Sequence, residues 1–171
     1  MSIQTIGAAV AGTAVVGGGG ALAAYAAGAF ESYGDLYEWM VKKNKWNDYK
    51  GKDIIAIKKK IKESEGVSQE NSYKKSLSEN WDLIKADGNT DDTLKSEIDK
   101  AGKQDQDSNY EKLNQIVNVV NVWCEKKLRS EIKLPRNENR DFDETKLATP
   151  NDDSVAKTWK AFNEICIFAI N

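Results

Sequence analysis

The sequence predicts an all-α protein: an N-terminal apolar (transmembrane) helix followed by a small helical bundle. Three observations carry this. From Ser2 to Phe30 no side chain is charged, and every Lys, Arg, Asp and Glu comes later. The remaining chain places apolar residues at intervals of three and four, the period of an amphipathic helix. No Asn-Gly turn sits between alternating apolar runs, and no repeat of fixed period is present. The chain therefore divides into residues 1–30, an apolar Ala/Gly-rich membrane anchor or uncleaved signal, and residues 31–171, a soluble α-helical domain with a loop at 135–150.

The opening stretch is long enough to cross a bilayer, since about 20 apolar residues suffice. Its strong contributors are Ile3, Ile6, Val10, Val15, Val16, Leu22 and Phe30, worth together roughly 3 kcal/mol on an insertion scale. Seven glycines, four of them at Gly17 to Gly20, work against this, so the span is marginal and open to help from a second helix. Gly20, Ala24 and Gly28 form a small-xxx-small row suited to such pairing, and Ala8 with Gly12 forms another. A secretory signal is an alternative, because Ala27 and Ala29 satisfy the small-residue cleavage rule, although only the α-amino group supplies a positive n-region. Val15-Val16 followed by Gly18, Gly20 and Ala23 also matches a dinucleotide fingerprint. That motif needs a second strand ending in an acidic residue, and Ser32 to Glu38 carries no β-branched run.

From Glu31 to about Lys45 the spacing of Tyr33, Leu36, Tyr37 and Met40 is helical. Tyr33, Tyr37, Trp39 and Trp46 stand just beyond the proposed span, where they suit a membrane interface or else cap the domain core. Ile54, Ile57 and Ile61 lie on one face of a Lys-rich helix that Gly66 can end. Lys58, Lys59, Lys60 and Lys62 on that helix make a basic patch, either a solvated face or a contact for acidic head groups. Ser68 can cap the next helix, with Tyr73, Leu77, Trp81 and Ile84 as a stripe before Gly88. A short helix from Thr90 turns Leu94 and Ile98 inward, with Asp91 and Asp92 in its first turn, where the helix dipole favours acidic groups. The longest runs from near Asp107 to about Ile132 and carries Tyr110, Leu113, Val117, Val120, Cys124 and Leu128 on one face. Pro135 and Pro150 bracket a polar loop. Asp152 or Asp153 then caps a last helix bearing Val155, Trp159, Phe162, Cys166 and Ala169, whose end, Ile165 to Ile170, is apolar all round and calls for burial.

Composition excludes several functions. There is no histidine, which removes Ser-His and Cys-His nucleophile systems and every His-containing metal site. With 25 basic and 27 acidic side chains the net charge is −2, so nothing favours a nucleic-acid partner. Asp87, Asn89 and Asp91 have the spacing of a calcium loop, but Asp92 and Ile98 replace the required Gly and Glu, and Asp105, Asp107 and Asn109 fail in the same way. Cys124 and Cys166 are too few for a disulfide framework and too far apart for a Cys-x-x-Cys motif, which leaves them as buried small hydrophobes or a single bridge. No cofactor or metal site and no catalytic group is expected.

The Ala/Gly-rich apolar N-terminus, the Lys-rich helical body of this size and the Trp123-Cys124 pair on a late helix resemble the large paralogous families of uncharacterised proteins of hemotropic mycoplasmas. The likeness covers the layout of the whole chain, and the dipeptide is its only motif. Those families commonly carry Trp-Cys nearer the chain end, whereas here a loop and the Trp159 helix follow. The resemblance implies a membrane-tethered or exported surface protein and brings no catalytic residues. The functional expectation is a non-enzymatic single-pass membrane protein with an extracellular antigen- or adhesin-type body, its partners the bilayer, a membrane helix and a host protein. A scaffold facing the cytoplasm is the alternative, favoured by Lys42, Lys43, Lys45, Lys50 and Lys52 after the span. A carboxylate-dependent enzyme is a distant third.

Overall fold

A computed structural model describes residues 35–88, 90–103, 107–130, 132–149 and 153–169, without the side chains of 107–109. The proposed anchor, residues 1–30, with Gly20, Ala24 and Gly28, lies outside the described residues, as does Tyr33. Among the described residues there are eight α-helices and no β-strand. None of these helices is long and apolar enough to cross a membrane. They are α1 (Asp35–Lys42), α2 (Ile54–Glu63), α3 (Tyr73–Glu79), α4 (Trp81–Gly88), α5 (Thr93–Glu97), α6 (Asp107–Leu128), α7 (Glu144–Ala148) and α8 (Ser154–Cys166), with a 3-10 turn at Trp46–Asp48.

α6 is the axis of the bundle, packing against α1, α2, α4, α5 and α8. Its buried set is broader than the single predicted face, because Ile116, Val119 and Trp123 are buried beside Leu113, Val117, Val120, Cys124 and Leu128. A helix covered from several sides must be apolar on more than one stripe. Tyr110, in its first turn, departs from the predicted face and is 41% exposed.

Local chemistry sets the element ends. α1 stops in a Schellman arrangement: Asn44 takes a left-handed φ of 53°, Asn44 N–H bonds the Val41 carbonyl and Lys45 N–H bonds that of Met40. The predicted Tyr73-Leu77-Trp81-Ile84 stripe is buried throughout, but it is divided between α3 and α4 at Asn80. Ser72 rather than Ser68 precedes α3; its hydroxyl donates to the Glu65 carbonyl and ties the preceding turn in place.

The predicted loop at 135–150 contains more structure than its two prolines suggested. Arg136 pairs antiparallel with Phe142 across a tight turn, Asn137 N–H bonding the Asp141 carbonyl at 2.8 Å, and α7 follows. Phe142 and Leu147 are buried, so this segment adds to the core. Asp153 caps α8 by accepting from Val155 N–H. The apolar end expected to continue as helix stops at Cys166; Ile167 turns extended and pairs with Tyr49.

Candidate functional site

Two places stand out once the core is assigned: the junction at the end of α8 and the outer face of α2. At the junction Cys124 of α6 and Cys166 of α8 form a disulfide with a Cα separation of 5.8 Å. Both cysteines are buried, as expected of small hydrophobes, but they are covalently joined, so the single-bridge alternative applies. Lys50 N–H bonds the Cys166 carbonyl at 2.8 Å and Phe168 N–H bonds the Asp48 carbonyl at 2.9 Å, fastening the same chain end to the turn after α1. The Tyr73 hydroxyl donates to the Ile165 carbonyl, and burial pushes that phenol well above its usual pKa. Gly51 is required by this crowding, since a Cβ there would lie 2.5 Å from the Cys124 Cβ and 2.6 Å from the Tyr49 ring.

Of the aromatic residues weighed for a membrane interface, Tyr37 and Trp39 belong to this interior. Tyr37 and Trp39 are 1% and 2% exposed, so neither ring is free to meet a bilayer. Tyr37 meets Trp46 edge-on at 5.1 Å, Trp46 stacks on Tyr49 at 5.8 Å, and Tyr49 stacks on Phe162 at 6.0 Å. Trp39 meets Trp159 edge-on and donates its indole N–H to Glu144 of α7. Trp46 alone of the three is half-buried, with the Lys52 ammonium 5.6 Å from its ring centre. Tyr37 and Trp39 thus follow the core-capping alternative, packed beside Leu36 and Met40, the other buried residues of α1.

α2 is positioned by its ends and by its inner face. The Asp53 carboxylate caps it by accepting from Ala56 N–H at 2.9 Å, while Ala56, Ile57 and Ile61 are buried. At about 100° per residue these three occupy one side of the helix, Ile54 falls at its edge and Ile55 opposite. Ile54 is accordingly 46% exposed instead of lying on the buried face with Ile57 and Ile61, and Ile55 is 80% exposed. Lys58, Lys59 and Lys62 surround Ile55, and with Glu63 they line a shallow depression of about 460 Å³. The Lys58 and Lys62 ammoniums lie 5.8 and 5.5 Å from the centre of the exposed Tyr110 ring, which joins α6 to this surface. Lys60, the fourth lysine of the predicted patch, turns aside to the Phe168 ring.

The other titratable clusters have structural roles. Of the residues with calcium-loop spacing, Asp87 is bound by Lys126 and Lys127, both at 2.7 Å, and Asp91 accepts from Thr93 N–H at the start of α5. Asn89, Asp105 and the side chains of Asp107 and Asn109 lie outside the described residues. Among the described residues no group of three His, Cys, Asp or Glu side chains could hold a metal ion. Lys74 is buried and donates to the Asp99 carbonyl, and burial lowers its pKa. Arg136 binds Glu38 at 2.7 Å and stacks on Phe142, tying the 135–150 segment to α1. Burial opposes ionisation of Glu38, but hydrogen bonds from Arg136 and Lys42 outweigh it and hold the carboxyl below its usual range.

Sequence reasoning did not single out Ile55 or Arg136. Ile55 was open to it, since two consecutive isoleucines cannot both face the same core from one helix. Arg136 gave no local signal, because its partner Glu38 is 98 residues away in the chain. No family model, curated protein or solved structure matches the chain.

Proposed function

We propose that the chain is a non-enzymatic, single-pass membrane protein whose apolar N-terminal stretch anchors a helical body outside the cell, where it serves as an antigen- or adhesin-type domain binding host or neighbouring proteins. The observation that carries this is the Cys124–Cys166 disulfide. Disulfides persist in oxidising surroundings and are rare where thioredoxin and glutathione keep thiols reduced. The likeness in layout to the surface-displayed paralogues of hemotropic mycoplasmas supports the same side. Anchoring follows from the uncharged run Ser2 to Phe30, with Gly20, Ala24 and Gly28 available to pack against a second membrane helix.

A scaffold facing the cytoplasm is favoured instead by Lys42, Lys43, Lys45, Lys50 and Lys52, which the positive-inside rule would retain on the inner side. Protease treatment of intact cells making the full chain separates the two. A displayed body is cut while a cytosolic marker survives, and its cysteines resist alkylation in denaturant until a reductant is added. A body that survives, with both thiols alkylated at once after acid quenching, overturns the surface reading in favour of the scaffold.

A further inference from the structure

The outer face of α2 gathers lysines around an exposed apolar side chain with little negative charge to balance them. Some lysines elsewhere are neutralised nearby, Lys75 by Glu79, Lys85 by Asp82 and Asp92, Lys103 by Asp99, Lys126 and Lys127 by Asp87. Others, such as Lys52 beside the Trp46 ring, are not neutralised among the described residues, and what marks this face is the exposed isoleucine among its lysines. Around Ile55 only Lys59 meets a carboxylate, Glu63, at 3.6 Å. Lys58 bonds the neutral amide of Asn114, and Lys58 and Lys62 have no carboxylate partner among the described residues. An isoleucine 80% exposed thus stands inside a ring of three lysines and one glutamate, with a half-exposed tyrosine at its rim.

We propose that this face is a contact surface for an anionic lipid bilayer. Ile55 enters the head-group boundary while Lys58, Lys59 and Lys62 meet lipid phosphates, the division of labour by which peripheral segments engage membranes. Tyr110, amphipathic and half-exposed, suits the same depth. The lysine content favours lipid over a protein partner, because protein interfaces are depleted in lysine, and the one aromatic ring here, Tyr110, lies at the rim between two ammoniums and is no central anchor. A contact of this size is weak alone. It becomes effective on a chain already tethered to the same bilayer, since tethering raises the local concentration of the surface. The proposal in this form rests on the anchored reading above.

The test reconstitutes the full chain into vesicles of phosphatidylcholine, with or without phosphatidylglycerol, and reads lysine acetylation by mass spectrometry. Labelling of Lys58, Lys59 and Lys62 is expected to fall about fivefold in the anionic vesicles, while Lys100 and Lys146 on other surfaces stay unchanged. High salt should abolish the protection, and so should the exposed triple variant I55N/K58E/K62E, checked for folding by circular dichroism. Equal labelling in both vesicle types overturns the proposal, even if an alkaline wash leaves the chain in the membrane and so upholds the anchor. Protection that rises with protein concentration without vesicles also overturns it, in favour of a second copy, and equal protection by polyglutamate does so in favour of an acidic protein. If the chain washes off, the anchored reading fails, and co-sedimentation at neutral pH decides the face separately. Salt-sensitive binding to anionic vesicles that the triple variant loses keeps the proposal, and no binding removes it.

Discussion

Ile54-Ile55-Ala56-Ile57 at the start of α2 and Ile165-Cys166-Ile167-Phe168 at the end of α8 are comparably apolar, yet they end in opposite environments. At the end of α8, α6 reaches in through the disulfide, the turn at Trp46–Asp48 and the residues after it add backbone hydrogen bonds, and α3 contributes Tyr73. Neighbours surround it. The start of α2 is covered on one side, so Ala56 and Ile57 are buried while Ile55 stands out. Apolar content tells that a run has something to bury. The number of elements that reach it decides how much is buried.

The comparison can be broken most severely at the α8 junction. Cys124→Ala/Cys166→Ala removes a cross-link between residues 42 apart, and chain-entropy reasoning puts the loss at about 4 kcal/mol. A guanidinium titration of the double variant against the oxidised protein measures it; an unchanged midpoint would mean that packing and backbone bonds alone hold the end of α8.

A second contrast lies within α2. Ile57→Ala should cost about 3 kcal/mol by opening a cavity in the core, and Ile55→Ala less than about 0.5 kcal/mol because the side chain is already in water. Similar losses for the two in urea would show that the outer face is covered by another part of the chain.

The smallest effect concerns Asp87, whose partners Lys126 and Lys127 lie on α6. Burial opposes its ionisation, but hydrogen bonds from the two lysines outweigh that and lower its pKa. A carboxylate whose folded pKa is depressed stabilises fully above its ordinary pKa of about 4 and loses that contribution as pH falls through the folded value. Asp87→Asn should therefore cost about 1 kcal/mol at neutral pH. The difference from the unaltered protein should vanish in acid below the lowered pKa. Urea midpoints across that range report it, and a gap that persists in acid would assign the loss to shape instead of charge.

Much of the fold was legible because helical periodicity is local. The Tyr73-Leu77-Trp81-Ile84 stripe, the predicted positions Leu113, Val117, Val120, Cys124 and Leu128, and Trp159, Phe162 and Cys166 are buried, as their spacing implied, whereas Val155 of the last predicted face is half-buried and Ala169, past the end of the helix, is exposed. The break at Asn80 within the first of these was not legible, since periodicity continues across it. The proposed contact surface was visible in the sequence as a lysine patch that acidic head groups could meet, but its make-up was not, because only the fold sets Lys60 aside to the Phe168 ring, leaves Ile55 exposed and brings the Tyr110 ring to Lys58 and Lys62.

By itself the sequence determined the helical class, the separation of an uncharged beginning from a charged body, and the exclusion of histidine chemistry, for each depends on residue type and short-range spacing. Tertiary structure alone decided that Cys124 and Cys166 are joined, that Tyr37 and Trp39 serve the core, that Arg136 ties its segment to α1, and that Ile55 is left outside. These outcomes depend on which distant elements meet, and burial and bridging are properties of pairs that no local pattern contains.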